Sequence, residues 1–115
     1  MKRLIYADNA ATTQLDIDAF EAMRPYLLNE YGNASQPYSF SRSSKAALRE
    51  ARETIATCIN ADPSEIFFTS GGTESDNWAI KGMLDGTNHT GAIITSSIEH
   101  HAVLRACAAA ERMGS

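Results

Sequence analysis

The stretch Ile66-Phe67-Phe68-Thr69-Ser70-Gly71-Gly72-Thr73-Glu74-Ser75-Asp76-Asn77 reads as a short apolar strand, an abrupt glycine turn and the first turn of a helix. Adjacent glycines open backbone conformations closed to larger residues and let an anion approach the main chain. The helix that follows directs unpaired N–H groups and the positive end of its dipole at the turn. Thr73 is placed to act as N-cap, its hydroxyl serving either its own helix or a ligand phosphate, with Asp76 completing a variant capping box. The element is a candidate phosphate cup. It is not a Walker A loop, since no Gly-Lys-Ser/Thr follows, and it lacks the spaced glycines of a dinucleotide fingerprint. On these residues alone, an ordinary strand-to-helix connection competes with the cup.

Outward from the cup, the pattern alternates. Upstream, residues 43–60 carry Leu48, Ala51, Ile55, Cys58 and Ile59 at helical spacing, which predicts a helix buried on that face. Asp62-Pro63 turns the chain into the strand. Downstream, a helix from Glu74 to about Leu84 should bury Trp78, Ala79 and Met83 and stop at Asp85-Gly86. Ala92-Ile93-Ile94-Thr95 reads as a second apolar strand, and Ala102, Val103, Ala106, Ala109 and Ala110 line a last helix. This order predicts an α/β fold with parallel strands and right-handed crossover helices. Strands apolar on both faces belong to a sheet covered on both sides, and two strands do not make one. The expectation is therefore a chain whose strands pair with another copy, or the first part of something longer.

Nearer the amino terminus, Asp8 to Thr13 is a small polar turn. Asp16 should cap a helix carrying Ile17, Phe20, Met23 and Leu27, with Pro25 as its kink or weak point. The loop from Tyr31 to Arg42 is too aromatic for a linker and should pack on something.

Composition narrows the function. The 115 residues are 43% hydrophobic and 21% charged, an ordinary globular balance, with a net charge of −4. That charge and the scattered Lys and Arg argue against a nucleic-acid partner. No apolar run suggests a membrane span or signal peptide. Cys58 and Cys107, far apart and outside any CxxC, fit a reducing cytoplasm. Cys58, on the expected core face, reads as structural, and Cys107 has no activating base near it in sequence.

His100 falls just after the second strand, at the end where open α/β sheets hold their ligands, so its imidazole is a candidate for stacking on a planar ring or moving a proton. A surface or capping histidine is the bland alternative. Neighbouring His100 and His101 diverge on any regular element and have no ligand partners, so no metal site is expected. His89 lies in a polar turn and carries no signal.

Four segments in order then carry a resemblance: Tyr6-Ala7-Asp8-Asn9-Ala10-Ala11-Thr12-Thr13, Gly32-Asn33-Ala34-Ser35, Phe68 to Asn77, and Ser97-Ile98-Glu99-His100. Together they resemble the cysteine desulfurases, class V aminotransferases that use pyridoxal phosphate and have the aspartate-aminotransferase-like fold, fold type I. The resemblance runs over nearly the whole chain but covers only the amino-terminal part of such enzymes. It implies a segment near the active-site mouth over 1–15 and an incomplete start of the cofactor-binding large domain over 16–115. It implies that Gly72 and Thr73 hold the cofactor phosphate, and that His100 stacks on the pyridine ring and shuttles a proton as the catalytic residue. It also implies L-cysteine as substrate, alanine and a persulfide as products, a scaffold protein in iron–sulfur or thio-cofactor assembly as sulfur acceptor, and a homodimer.

Departures accompany the matches. Ala34 stands where many relatives have proline, and Tyr38 where many have histidine. The family's Schiff-base lysine follows a Ser and a His, a context that Lys2, Lys45 and Lys81 all lack. The aspartate on the pyridine nitrogen, the carboxylate-binding arginine and the sulfur-accepting cysteine also lie downstream in the family. This chain is expected to carry half a cofactor site and to be inactive alone. A stand-alone anion-binding or dimerisation module, and a segment of another class V enzyme such as a selenocysteine lyase, are the alternatives.

Overall fold

A computed structural model describes residues 4–88 and 91–113; Lys2 and His89 lie outside them. The chain divides into two compact units, Met1–Ile66 and Phe67–Ser115.

In the first unit, the polar turn closes where the N–H groups of Ala11 and Thr12 reach the Asp8 carbonyl and the Tyr6 and Thr12 hydroxyls meet at 2.6 Å. Helix α1, Ile17–Leu28, begins where expected: Asp16 Oδ1 accepts from the N–H groups of Asp18 and Ala19 at 2.9 and 3.2 Å. Pro25 sits inside α1 and marks its end, its carbonyl accepting from both Asn29 and Glu30. The aromatic loop does pack on itself: Tyr31 meets Phe40 edge-to-face with centroids 5.2 Å apart. Gly32 is needed there, since a Cβ would lie 2.4 Å from the Phe40 carbonyl oxygen. A short 3-10 turn, Ser39–Ser41, buries Ser41, whose hydroxyl lies 2.6 and 2.7 Å from the Gln36 and Tyr38 carbonyls.

Helix α2, Arg42–Ile59, ends on Asn60 in the left-handed region at φ 55°, with the Ala61 N–H returning to the Ala56 carbonyl. Glu30 ties the α2 start, its carboxylate and carbonyl accepting from the Ser43 and Ser44 hydroxyls respectively. The face that α2 buries differs from the expected one. Ala56 is the buried residue, while Leu48, Ile55, Cys58 and Ile59 are exposed. The periodicity located an apolar face correctly, but no described element covers it. A second 3-10 turn, Pro63–Glu65, packs on α2 and carries a full capping box between Asp62 and Glu65. The Ser64 hydroxyl and N–H hold the Asp62 carboxyl below its ordinary range.

The second unit holds helices α3, Gly72–Gly86, and α4, His101–Arg112, packed against each other. The core between them is small: Leu84 on α3 and the i, i+4 series Ala102, Ala106, Ala110 on α4 are buried, with Asn77 and Ile80 half-buried. Alanines let two helices approach closely. Trp78 and Met83, expected inside, are 52% and 70% exposed, because they lie off the stripe that meets α4. Trp78 instead meets Phe67 edge-to-face at 5.1 Å.

The two expected strands do not form; no strand occurs among the described residues. Ile66 is extended at φ −96°, ψ 122°. Its N–H is drawn to the Pro63 carbonyl at 3.3 Å, however, and its carbonyl accepts Arg52 Nε at 3.0 Å, so neither is committed to a ladder. Residues 92–95 likewise have no ladder neighbour among the described residues, and Ile94 is 97% exposed. A strand is a pairing as much as a conformation.

Candidate functional site

The glycine turn feeds α3 through a network of short polar side chains. Thr69 Oγ1 lies 2.7 Å from Ser75 Oγ. Ser70 is clasped by Glu74, whose Oε2 accepts from both the Ser70 N–H at 2.6 Å and its hydroxyl at 2.7 Å. These two bonds hold the Glu74 carboxyl below its ordinary range, the hydroxyl contributing more than the N–H. The N-cap is Gly71, not Thr73; Thr73 is the second residue of the helix and Asp76 makes no return bond. The expected capping box is displaced because Glu74 reaches back to Ser70.

Three consequences define the cup. The carbonyl of Gly71 accepts the N–H groups of Glu74 and Ser75, whereas those of Gly72 and Thr73 have no partner among the described residues. The Thr73 hydroxyl, relieved of capping, is likewise uncommitted. Neither glycine needs a left-handed backbone, as Gly71 is extended and Gly72 helical. Their use is spatial: a Cβ built on either meets nothing within 4 Å, so the main chain lies open to an anion.

His100 is the N-cap of α4, its Nδ1 accepting the Ala102 N–H at 3.2 Å. His100 is thus the capping histidine of the bland expectation, and the same residue lines a cavity. Thr73 and Asn77 from α3, and His100, His101, Ala102 and Arg105 from α4, line one cavity of about 200 Å³. Residues from the first two turns of both helices therefore share one space. The His100 and His101 rings, expected to diverge, instead lie with centroids 6.3 Å apart and tilted at 46°, and both residues line the cavity. Among the described residues no three His, Cys, Asp or Glu side chains gather as a metal-binding group.

Thr73 and His100 thus share a cavity; Gly72 adjoins it through the helix start but is not among the lining residues. Asn77 and Arg105 were missed in the sequence, though helical spacing held a signal. Asn77 is one turn after Thr73 and donates from Nδ2 to the Thr73 carbonyl at 2.9 Å. Arg105 is one turn after His101.

The donors suit the monoester phosphate of a flat aromatic cofactor: two free N–H groups and a hydroxyl for the oxygens, and a fixed imidazole beside them for the ring. A chain described as a NifS-like protein superposes with a TM-score of 0.86 at 36% identity, over 93% of this chain and 30% of its own length. Cysteine desulfurase IscS of Dictyoglomus turgidum is 50% identical over 115 residues, 99% of this chain and 29% of the relative. The IscS of Methanosarcina thermophila is 50% identical over 97% of this chain, and a cysteine desulfurase of a Nostoc species 47% identical over 96%. The chain spans less than a third of the length of each of these relatives. The profile described as Aminotransferase class-V matches residues 5–115, and with these relatives it makes the chain a member of the class V aminotransferase family, whose enzymes depend on pyridoxal phosphate.

Proposed function

We propose that these residues form the phosphate-and-ring half of the cofactor site of a pyridoxal-phosphate-dependent cysteine desulfurase. The observation that carries the reading is the shared cavity of Thr73 and His100, far apart in sequence and brought to one space by two helix starts. The N–H groups of Gly72 and Thr73 and the Thr73 hydroxyl would donate to the phosphate oxygens. His100, with Nδ1 held by its cap, would present a ring face to the cofactor and a proton at Nε2. When bound, pyridoxal phosphate supplies the electron sink that labilises the substrate.

The same reading takes L-cysteine as substrate, with alanine and enzyme-bound persulfide sulfur as products. A scaffold protein in iron–sulfur or thio-cofactor assembly would accept the sulfur, and a cytoplasmic homodimer would be the working form. The relatives support the substrate, since they are called cysteine desulfurases. Segments 66–69 and 92–95 would be members of a fold type I sheet whose ladder partners lie beyond the described residues. The lysine, the carboxylate-binding arginine and the sulfur-accepting cysteine would come from outside this chain as well.

The test uses the native protein, captured from its source cell with an antibody to this segment. Acid release of pyridoxal phosphate, together with alanine and persulfide formed from L-cysteine, is the expected result. Protein that releases no pyridoxal phosphate refutes the cofactor site. Protein that holds the cofactor but turns over selenocysteine and not cysteine refutes the substrate.

A further inference from the structure

Arg105 is the one side chain lining the Thr73–His100 cavity that carries a permanent charge; the others are Thr73, Asn77, His100, His101 and Ala102. Its guanidinium has no hydrogen bond or ion pair among the described residues. The Glu74 carboxylate on α3 is engaged by Ser70. Arg105 is exposed, and one turn beyond His101 it lines the cavity that Thr73 and Asn77 of α3 also line.

We propose that Arg105 is an anion-binding residue of the cup, supplying the full positive charge that the helix starts and the Thr73 hydroxyl do not. The inference rests on the cup holding a phosphate monoester. Two helix starts together offer partial charges only, while a phosphate at neutral pH carries nearly two negative charges. A planar guanidinium fork matches two phosphate oxygens at once and keeps its charge at any physiological pH. Arg105 would therefore set how strongly the site prefers the phosphorylated cofactor over the same ring without phosphate.

The test measures binding and not turnover, in the whole native-length protein stripped of cofactor. The dissociation constants of pyridoxal phosphate and of pyridoxal are compared for the natural protein, Arg105→Gln and Arg105→Lys. Because a partly exposed charged hydrogen bond is lost, Arg105→Gln should cut the preference for pyridoxal phosphate by roughly five- to twentyfold and leave pyridoxal unchanged. Arg105→Lys keeps the charge without the fork and should retain only part of the preference, more than Arg105→Gln does, while unchanged pyridoxal binding in both variants shows that the fold tolerates change at this exposed position. Inorganic phosphate should compete against the natural protein several times better than against Arg105→Gln. An unchanged preference in Arg105→Gln overturns the role of Arg105 and leaves the cup standing. Equal binding of pyridoxal and pyridoxal phosphate by the natural protein overturns the cup, and this inference with it.

Discussion

His100 Nδ1 accepts the backbone N–H of Ala102 at 3.2 Å, so the ring that caps α4 is also the ring that faces the cup. An Nδ1 that accepts carries no proton, which leaves the proton of the neutral imidazole on Nε2. The cap fixes both the tautomer and the plane of the ring. Structural and chemical roles are separable by substitution. His100→Asn keeps a good capping acceptor and should leave thermal stability nearly unchanged while abolishing turnover. His100→Phe keeps an aromatic face but loses the acceptor, and should cost about 1 kcal/mol of stability. Thermal melts paired with cofactor titration read the two effects apart, and equal destabilisation by both variants would contradict the assignment.

Thr73 is a helix residue and not the cap, so its hydroxyl is free for a ligand. Thr73→Val should therefore leave helix content intact while weakening pyridoxal phosphate by roughly tenfold, the size of one lost hydrogen bond to a charged group. Circular dichroism and cofactor titration check the pair of expectations. A fall in helix content would restore Thr73 to the capping role.

The Ser70–Glu74 clasp predicts a pH dependence. Glu74 is held below its ordinary value of 4.5 by the Ser70 hydroxyl and then by the Ser70 N–H. A depressed carboxyl favours the folded clasp above the ordinary value, and that contribution is lost as pH falls through the lowered one. The carboxyl is fully solvated, so the consequence is local order of the turn and not a large change in global stability. The Ser70 amide resonance should shift in acid, and Glu74→Gln should remove that transition while weakening phosphate binding only slightly.

Gly32 lies against the main chain at Phe40, where a Cβ would come within 2.4 Å of a carbonyl oxygen. Backbone cannot swing aside as a side chain can. Gly32→Ala should therefore destabilise the first unit by about 1–3 kcal/mol, the usual cost of forced overpacking. Loss of the Tyr31–Phe40 ring contact should accompany it, visible in the near-ultraviolet circular dichroism of the tyrosine.

Ala106 is 2% exposed in the α3–α4 contact. Ala106→Leu should push the two helix starts apart and cost about 1–3 kcal/mol. Because the cup is assembled from both helices, cofactor affinity should fall along with the melting temperature. Intact affinity at a lowered melting temperature would show that the cavity does not depend on that contact.

Much of this was written locally in the chain. Asp16 capped α1 as its side chain required, α3 ran through Asp85-Gly86 and closed on Thr87 just past the expected stop, and the aromatic loop found an internal partner. Errors followed wherever a reading needed a neighbour. Leu48, Ile55 and Cys58 form an apolar face by spacing, yet spacing does not say what covers a face, and among the described residues nothing does. Thr73 lost its capping role to Gly71 because Glu74, one turn away from Ser70, made the better return bond. Ile66 kept a strand's dihedral angles but spent its backbone groups on Pro63 and Arg52.

The sequence by itself determined where the helices lie to within about a turn, since capping residues, a glycine turn and apolar period act within a few residues of one another. It also carried the family, through four short motifs in order. Only the tertiary structure decided what shares a space with what. Ala102, Ala106 and Ala110 are small enough to bring α4 close against α3, and that approach sets His100 and Arg105 across one cavity from Thr73. Distances between residues far apart in the chain are fixed by which faces interlock, and no local propensity encodes that.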